Sequence, residues 1–506
     1  MIPYGRQSIS EDDIAAVVRS LRSDFLTCGP EVEAFEKEFA AFVGAKHAVA
    51  VCNATAALHL AMRVLGIGPG DRVVTSPITF VASANAAAYV AAIPDFCDID
   101  PATSNIDPTA LEAGWKADTK AVVAVDYAGQ PCNMPEIARI ARSRGAFVIE
   151  DACHGIGGGF QADGQKWKLG GHPWADITTF SFHPVKTLTT GEGGVLLTEN
   201  DEWAAQARLL RTHGITRNPS EFTGLSDSPS SPSSAISPSQ SAIDAQPSCP
   251  VESCIFIPAG SASSSPLSSN SDLLSPVFAE RGPWYYEMQE LGYNYRITDL
   301  QCALGRSQLK RLPEFITRRQ EIASRYNQAF ATLDWLQTPA FTSRRPTPWP
   351  VKGEISFTGL ATRHQPPVTD LELSPQSSAI RPQSEDSSPA TRHESHATDM
   401  GFAFELPDLS LHLYTVSIDF PRLGKTRTEI MQELREKGIG TQVLYIPVYL
   451  QPWYRRTYGY APGKCPNAED FYTRALSLPL YPSMSDADVE KVIQTVKNIE
   501  KKFDNR

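Results

Sequence analysis

The stretch Ser181-Phe182-His183-Pro184-Val185-Lys186, with the segment Thr189-Thr190-Gly191-Glu192-Gly193-Gly194 behind it, is the most informative part of this chain. Upstream of it, a strand-like apolar run over 146–149 leads into Glu150-Asp151-Ala152-Cys153-His154. The pattern predicts a lysine on a turn, a glycine-rich hairpin after that turn, and a carboxylate at the end of a buried strand. These three features together form one chemical set.

Lys186 and Asp151 carry the chemistry of this set. A desolvated lysine can lose its charge and attack a carbonyl carbon. A carboxylate can keep a pyridine nitrogen protonated, so that the ring accepts electrons. One lysine alone would indicate little, because most lysines are surface charges. Their order and flanking residues predict an enzyme that uses pyridoxal 5'-phosphate.

Composition excludes several other classes of protein. The chain has 506 residues, a net charge of −11 and a pI near 5.5, which argues against nucleic acid or an anionic membrane as its partner. Its nine cysteines show no paired spacing, so neither a disulfide framework nor a metal site is expected. No signal-like or membrane-spanning segment is recognisable, and we expect a cytoplasmic protein.

Two segments rich in Ser and Pro interrupt the chain, at 224–280 and 343–406. Neither contains enough apolar residues to offset its ordering entropy, which predicts disordered insertions. Translated introns or a gene-model error would give the same pattern. The remaining ranges are predicted to be the first part of a large cofactor-binding domain (1–223), its end with linking helices (281–342), and a small C-terminal domain (407–506).

The rest of the chain alternates between strands and helices. Apolar strands are predicted at 47–51, 72–75, 93–98, 120–125 and 147–150, and helices at 54–65, 80–90 and 134–144. Further helices are predicted at 9–20, 32–43, 298–310, 315–333, 427–437 and 487–503, with one more strand at 414–420. This alternation predicts an α/β fold whose large, mostly parallel sheet is covered by helices on both faces.

Cofactor contacts are predicted where strands give way to helices. Ala54 and Thr55 begin a helix, and their backbone amides are predicted to bind a phosphate. An ordinary helix cap would have the same sequence pattern. Ser181 is a second candidate for the phosphate, or simply a hydroxyl at a strand end. Phe80 follows the next strand, where ligands of open α/β sheets bind, and its ring is placed to stack on a flat ligand or to join the core.

The motifs in this chain resemble one known family. They are TSPITFVASAN at 75–85, VDYAG at 125–129, FSFHPVK at 180–186 and YIPVY at 445–449. Together they are similar to the DegT/DnrJ/EryC1/StrS sugar-nucleotide aminotransferases, which have the fold of type I pyridoxal-phosphate enzymes, resembling aspartate aminotransferase. Within the family they are most like the subgroup that makes UDP-4-amino-4,6-dideoxy-N-acetyl-β-L-altrosamine for pseudaminic acid.

The resemblance implies roles for individual residues. Lys186 would bind the cofactor covalently and then carry the transferred proton, while Asp151 would pair with the pyridine nitrogen. His154 is expected beside the cofactor, at its phenolic oxygen or its ring face. The remaining cofactor contacts implied by the resemblance are Ala54, Thr55, Phe80, Ser181 and, reaching over from the neighbouring subunit of a homodimer with shared sites, Asn294.

Substrate contacts are implied more loosely, by three segments that surround the nucleotide sugar in related enzymes. For Phe25 and Leu26, which belong to one of these segments, the alternative is that they are ordinary core residues. The segments consist of Tyr4; of Asp24, Phe25, Leu26 and Thr27; and of Tyr445, Ile446, Pro447, Val448 and Tyr449.

The expected activity is the transfer of an amino group from L-glutamate to the 4-keto carbon of a UDP-linked 6-deoxy-N-acetylhexosulose. Another 4-keto or 3-keto sugar aminotransferase, acting in bacillosamine, perosamine or antibiotic-sugar synthesis, is the nearest alternative. The dehydratase relatives have histidine in place of the lysine, and Lys186 argues against them. An alternative from another functional class is a regulatory protein without catalytic activity. The chain keeps the lysine, the acid and the phosphate-binding residues together, which argues against this alternative.

Overall fold

The computed structural model describes residues 1–223, 282, 284–341 and 401–500. The predicted insertion at 224–280 and most of the one at 343–406 lie outside these ranges. Residues 401–406 lie inside them, where Ala403 pairs with Gln161 in an antiparallel bridge and Phe404 is buried. The second predicted insertion therefore extends too far, because Phe404 supplies apolar surface within a largely polar stretch.

Five of the seven strands of the main sheet were predicted from the sequence, and β8 and β9 were not. In the described residues it has seven strands in the order β1-β9-β8-β5-β4-β2-β3, and β9 alone runs antiparallel to its neighbours. The strands in this part of the chain are β1 (His47–Val51), β2 (Arg72–Thr75), β3 (Ile93–Phe96), β4 (Thr119–Val125), β5 (Phe147–Asp151), β6 (Gly159–Ala162), β7 (Gln165–Lys168), β8 (Ile177–Ser181) and β9 (Gly194–Thr198). Strands β6 and β7 form a separate hairpin.

Helices cover both faces of this sheet, as predicted. Strand β1 shows why, since Val49 and Val51 pack on one side of it while Ala48 and Ala50 pack on the other. The helices of this region are α1 (Glu11–Leu21), α2 (Pro30–Val43), α3 (Ala54–Val64), α4 (Ala82–Tyr89), α5 (Pro108–Ala113), α6 (Met134–Arg142) and α7 (Asp201–Arg211). Helix α4 begins two residues after Phe80, which therefore lies in the preceding turn.

One long helix replaces the two that the sequence predicts at 298–310 and 315–333. Helix α8 (Asp299–Phe330) runs through Pro313 without a break and begins with a capping box between Thr298 and Gln301. An interior proline costs about 3 kcal/mol. Leu312 and Phe315, on either side of it, are buried, so we attribute the continuity of the helix to packing that offsets this cost.

The rest of the described chain forms two small sheets, and the C-terminal residues add helices to the second. Strands β10 (Ile215–Thr216) and β11 (Glu287–Met288) pair with each other, and β12 (Leu336–Gln337), β13 (Tyr414–Ile418) and β14 (Ala475–Leu478) form an antiparallel sheet. Helices α9 (Phe420–Leu423), α10 (Arg427–Glu436), α11 (Pro452–Tyr458), α12 (Pro466–Arg474) and α13 (Asp486–Glu500) accompany it. Within the described ranges, no helix has the length and apolar character needed to span a membrane.

Candidate active site

The predicted cofactor residues converge on one edge of the main sheet. Strand β5 ends at Asp151 and its parallel neighbour β8 ends at Ser181. The turn that carries Phe80 follows β2, which is parallel to both through β4. Because the carboxyl ends of parallel strands lie on the same side, these side chains share one crevice, as ligand sites of open α/β sheets do.

Lys186 lies on the turn that follows β8. Its backbone amide donates a hydrogen bond to the carbonyl of His183 at 2.9 Å, which closes the turn. Burial lowers the pKa of the Lys186 ammonium from its usual value, and the nearby Cys153 and Asp151 oppose that shift. A larger share of the side chain is therefore neutral, which is the form that attacks a carbonyl or removes a proton.

Asp151 is buried, with 5% of its surface exposed, and is held by donors on both oxygens. Its Oδ2 accepts a 2.7 Å hydrogen bond from the Ser83 hydroxyl, and its Oδ1 accepts one from the Cys153 amide at 3.3 Å. Ser83 in turn lies 2.7 Å from the Thr79 hydroxyl. Sequence reasoning missed Ser83; the available signal was a serine in the first turn of an alanine-rich helix.

The predicted phosphate-binding site, called the phosphate cup below, consists of the start of α3, Ser181 and Gly194. Asn53 caps α3 by accepting the Ala56 amide at 2.9 Å, so the amides of Ala54 and Thr55 lie at the exposed helix start. Gly194 is paired with Ser181, and a Cβ added to it would lie 2.5 Å from the Ala54 nitrogen. The glycine thus lets Ser181 approach the helix start, and this cradle fits a phosphate group.

Phe80 remains exposed although it is aromatic. The structure leaves 58% of its surface accessible, which rules out a core role in this chain. Its ring centroid lies 6.3 Å from that of Tyr445. An exposed ring next to a buried acid and a desolvated lysine suits a planar heterocycle.

His154 is buried between three other groups. Its Nδ1 accepts the Ala128 amide at 3.2 Å, its Nε2 lies 3.3 Å from the Tyr445 hydroxyl, and its ring is 4.6 Å from that of His412. Burial and the charge of Lys186 hold the pKa of His154 well below its usual value. His412 was not predicted as a site residue; its only sequence signal is a polar residue two positions before the buried strand β13.

The segment at 445–449 is only partly available to a ligand. Tyr445 is half-buried beside His154, and Ile446 is exposed. Pro447, Val448 and Tyr449 are buried, however, and the Val448 amide donates to the carbonyl of Pro77 at 2.9 Å. Burial of these three side chains helps to hold the segment in place, and their contact with substrate stays a prediction.

The other predicted substrate segment is exposed. Phe25 and Leu26 keep 43% and 46% of their surface accessible, so they are not core residues. Thr27 pairs with Thr298 at the cap of α8. The exposed or half-buried predicted contacts that remain are Tyr4, Asp24, Phe25, Leu26 and Thr27.

Asn294 is exposed and directed away from its neighbours. Tyr293 and Tyr295 stack on each other at 4.9 Å and contact the ring of His59 on α3. Asn294 lies between them and is exposed. Successive side chains of an extended segment point to opposite sides, so Asn294 is oriented away from the protomer's own core.

The residues present fit pyridoxal 5'-phosphate. Asp151 would hold the ring nitrogen, Phe80 the ring face, and the cup at Ala54, Thr55 and Ser181 the phosphate. The same set leaves Lys186 as the amine that reacts with the cofactor's aldehyde.

Comparisons with known proteins agree with this geometry. A model of the DegT/DnrJ/EryC1/StrS aminotransferase family matches residues 7–230, 276–359 and 390–497. The chain is 36% identical to the spore coat polysaccharide biosynthesis protein SpsC of Bacillus subtilis (strain 168), over 99% of this chain and 98% of SpsC.

Solved structures show the same fold. The aminotransferase TlmJ of Streptoalloteichus hindustanus superposes with a TM-score of 0.68 at 27% identity, covering 100% of both chains. Helicobacter pylori PseC, an aminotransferase involved in the biosynthesis of pseudoaminic acid, has a TM-score of 0.68 at 23% identity, over 99% of this chain and 100% of PseC. The chain therefore belongs to the DegT/DnrJ/EryC1/StrS aminotransferase family and is a pyridoxal-phosphate-dependent aminotransferase of fold type I.

Proposed function

We propose that this enzyme moves the amino group of L-glutamate to the 4-keto carbon of a UDP-linked 6-deoxy-N-acetylhexosulose, as a cytoplasmic homodimer. The product would be UDP-4-amino-4,6-dideoxy-N-acetyl-β-L-altrosamine, on the way to pseudaminic acid. One observation carries the proposal: a desolvated Lys186, a buried Asp151 and a phosphate cup share one crevice in a chain of this family.

Each residue of the crevice has a task in this reaction. When bound, the cofactor supplies a ring that stores an electron pair between the two half-reactions. Lys186, whose pKa burial lowers, takes a proton from the donor carbon and returns one at the acceptor carbon. Asp151, held by Ser83, keeps the ring nitrogen charged, and Phe80 covers the ring face.

The pocket chemistry supports a sugar as the amino acceptor. The hydrogen-bonding groups of the crevice include His154, whose pKa the charge of Lys186 lowers, and its neighbour Tyr445, and the pKa shifts of both favour their neutral forms. Neutral donors and acceptors suit the hydroxyl and keto oxygens of a sugar. The names of PseC and SpsC, which refer to pseudoaminic acid and to a coat polysaccharide, support the same class of substrate.

A second candidate is another nucleotide-linked keto-sugar, aminated at C4 or C3. The observation that favours it is the 36% identity to SpsC, whose name refers to a spore coat polysaccharide. The sugar's configuration depends on side chains around Tyr4 and Tyr445, which the family assignment does not specify.

Absorbance spectroscopy of the purified enzyme with pyridoxal 5'-phosphate tests the proposal. L-Glutamate should convert the band of the bound cofactor to that of the pyridoxamine form, and the UDP-4-ketosugar should restore it. Restoration by dTDP-4-keto-6-deoxyglucose, but not by the UDP sugar, would favour the second candidate. A cofactor band that neither glutamate nor any keto-sugar alters would contradict both candidates.

The homodimer is tested by mixing two inactive variants. Lys186→Ala removes the reacting amine, and Asn294→Ala removes the contact that a partner subunit would provide. If sites are shared, each mixed dimer carries one site with both lesions and one intact site, so random mixing restores about a quarter of the sites. Should mixing restore no activity, Asn294 does not act across a dimer interface.

A further inference from the structure

The tautomer of His154 follows from its contact with Ala128. The Ala128 amide lies 3.2 Å from Nδ1, and a backbone amide can only donate. Nδ1 must therefore accept, so a neutral His154 carries its proton on Nε2. Ala128 has a left-handed φ of 59° in the short turn Tyr127–Gly129, and this turn presents the amide to the imidazole.

Two groups beside His154 disfavour its protonated form. A second proton on Nδ1 would face the Ala128 N–H, and the cationic form would also be repelled by the charge of Lys186. The remaining neighbours are the rings of His412 at 4.6 Å and Tyr127 at 6.2 Å, and the phenol of Tyr445. Among the described residues, no carboxylate forms a hydrogen bond with His154.

The direction of the next hydrogen bond is then determined. Nε2–H is a donor, and the Tyr445 oxygen lies 3.3 Å from it, so Tyr445 accepts from His154. The phenolic proton of Tyr445 is left for another acceptor. Burial raises the pKa of Tyr445 well above its usual value, so the phenol keeps this proton at neutral pH.

Other contacts position Tyr445 at the crevice. The Tyr127 hydroxyl donates to the carbonyl of Leu444, the residue directly before Tyr445, and lies 3.2 Å from the Thr415 hydroxyl. The Tyr445 ring lies 6.3 Å from the exposed Phe80 ring, which marks the open side of the site. Through Tyr127, which follows strand β4 of the main sheet, the residue before Tyr445 is therefore held to that sheet.

We propose that His154 and Tyr445 form a directed pair, in which His154 donates to Tyr445 and Tyr445 donates to an oxygen of the bound amino acceptor. His154 is thus a positioning residue, and Tyr445 is the residue that contacts substrate and selects an acceptor with an oxygen at that point. The class of acceptor rests on the proposed function, whereas the tautomer of His154 does not.

The tautomer is tested on the cofactor-free protein by nitrogen NMR of uniformly labelled histidine, with His154→Asn used to assign the His154 signals. The expected spectrum shows Nε2 protonated and Nδ1 unprotonated between pH 6 and 8. Protonation of Nδ1, in either the other tautomer or the cation, would overturn the pair. This result does not depend on which substrate the enzyme accepts.

The pairing is tested by calorimetric binding of the UDP-4-ketosugar to the cofactor-free Tyr445→Phe, His154→Asn and double variants. Asparagine keeps an oxygen near the Nδ1 position for the Ala128 amide but lacks the Nε2 donor. Losing one neutral hydrogen bond should raise the Kd of Tyr445→Phe about tenfold. His154→Asn should raise it similarly, and the double variant should be no weaker than Tyr445→Phe alone.

Tyr458→Phe, in the same aromatic cluster, is the matched control and should bind like the wild type. An unchanged Kd in Tyr445→Phe, or effects that add in the double variant, would refute the directed pair. If the wild type binds only another keto-sugar, such as dTDP-4-keto-6-deoxyglucose, the proposed substrate fails. The same cycle on that sugar then decides whether the pair exists.

Discussion

Gly194 is the residue on which the phosphate cup depends most directly. It begins β9 and is paired with Val51 on one side and Ser181 on the other. In Gly194→Ala, the new methyl group would lie 2.5 Å from the Ala54 nitrogen and 2.6 Å from the Asn53 carbonyl carbon. Both are backbone atoms, so no side-chain rotation can relieve the overlap.

The size of the effect follows from these distances. Ordinary contacts of a Cβ lie at 3.4–4 Å, so the strand and the start of α3 must separate by about 1 Å, and overpacking of this kind costs about 1–3 kcal/mol. A 1 Å displacement between binding groups can cost about a hundredfold. We therefore expect the Kd for pyridoxal 5'-phosphate to rise by about ten- to a hundredfold, with a Tm lowered by a few degrees.

Titration of the cofactor-free protein with pyridoxal 5'-phosphate, followed by absorbance, measures this Kd, and calorimetry measures the Tm. Gly68→Ala is the matched control, because a Cβ there meets nothing within 4 Å and the backbone is not left-handed. Wild-type affinity in Gly194→Ala would refute the argument that this close approach shapes the cup. A lower Tm with unchanged affinity would confine the glycine's role to the fold.

Three further predictions concern the remaining parts of the site. In Lys186→Ala, borohydride reduction should no longer attach the cofactor covalently to the protein, as measured by the intact mass of the chain. Persistent attachment would show that another lysine reacts with the cofactor. Ser83→Ala removes the 2.7 Å hydrogen bond to Asp151 and should weaken cofactor binding by about 1.5–3 kcal/mol. The titration with pyridoxal 5'-phosphate measures this change. Unchanged binding would show that Asp151 does not need this donor. The folded pKa of His412 is well below its unfolded value because of burial and nearby positive charge, so the unfolded state binds more protons. The stability that neutral His412 contributes is complete above about pH 6.5 and is lost as the pH falls below this value. His412→Phe should therefore reduce the fall in unfolding free energy between pH 6.5 and 5.5 by up to about 1 kcal/mol, measured by urea unfolding at each pH. An unchanged slope would contradict a neutral, buried His412.

The sequence predicted five of the seven strands of the main sheet and most of the helices beside them, because local patterns encode these elements; strands β8 and β9 and helices α5 and α7 were missed. Strand β1 was predicted at its observed bounds from an apolar run, and α3 from the helix start after it. Helix α8 was mispredicted, since a proline is locally unfavourable and only the packing around Leu312 and Phe315 shows that it is tolerated.

The segment around Tyr445 shows the limit of assigning residues by motif. Tyr445 lies beside His154, but Val448 and Tyr449 are buried in an aromatic cluster with Phe96. A motif specifies which residues occur together, and it carries no information about which side of the chain faces the ligand.

The sequence by itself determined the chemical set of this protein: a lysine on a turn, an acid at a strand end and a helix start for a phosphate. These depend on neighbours within a few residues, so periodicity and short motifs reveal them. Only the tertiary structure decided what orients that set, through contacts such as Ser83 with Asp151, 68 residues apart, and His154 with Tyr445, 291 residues apart. The physical reason is that hydrogen-bond direction and burial depend on groups that only the folded topology brings together.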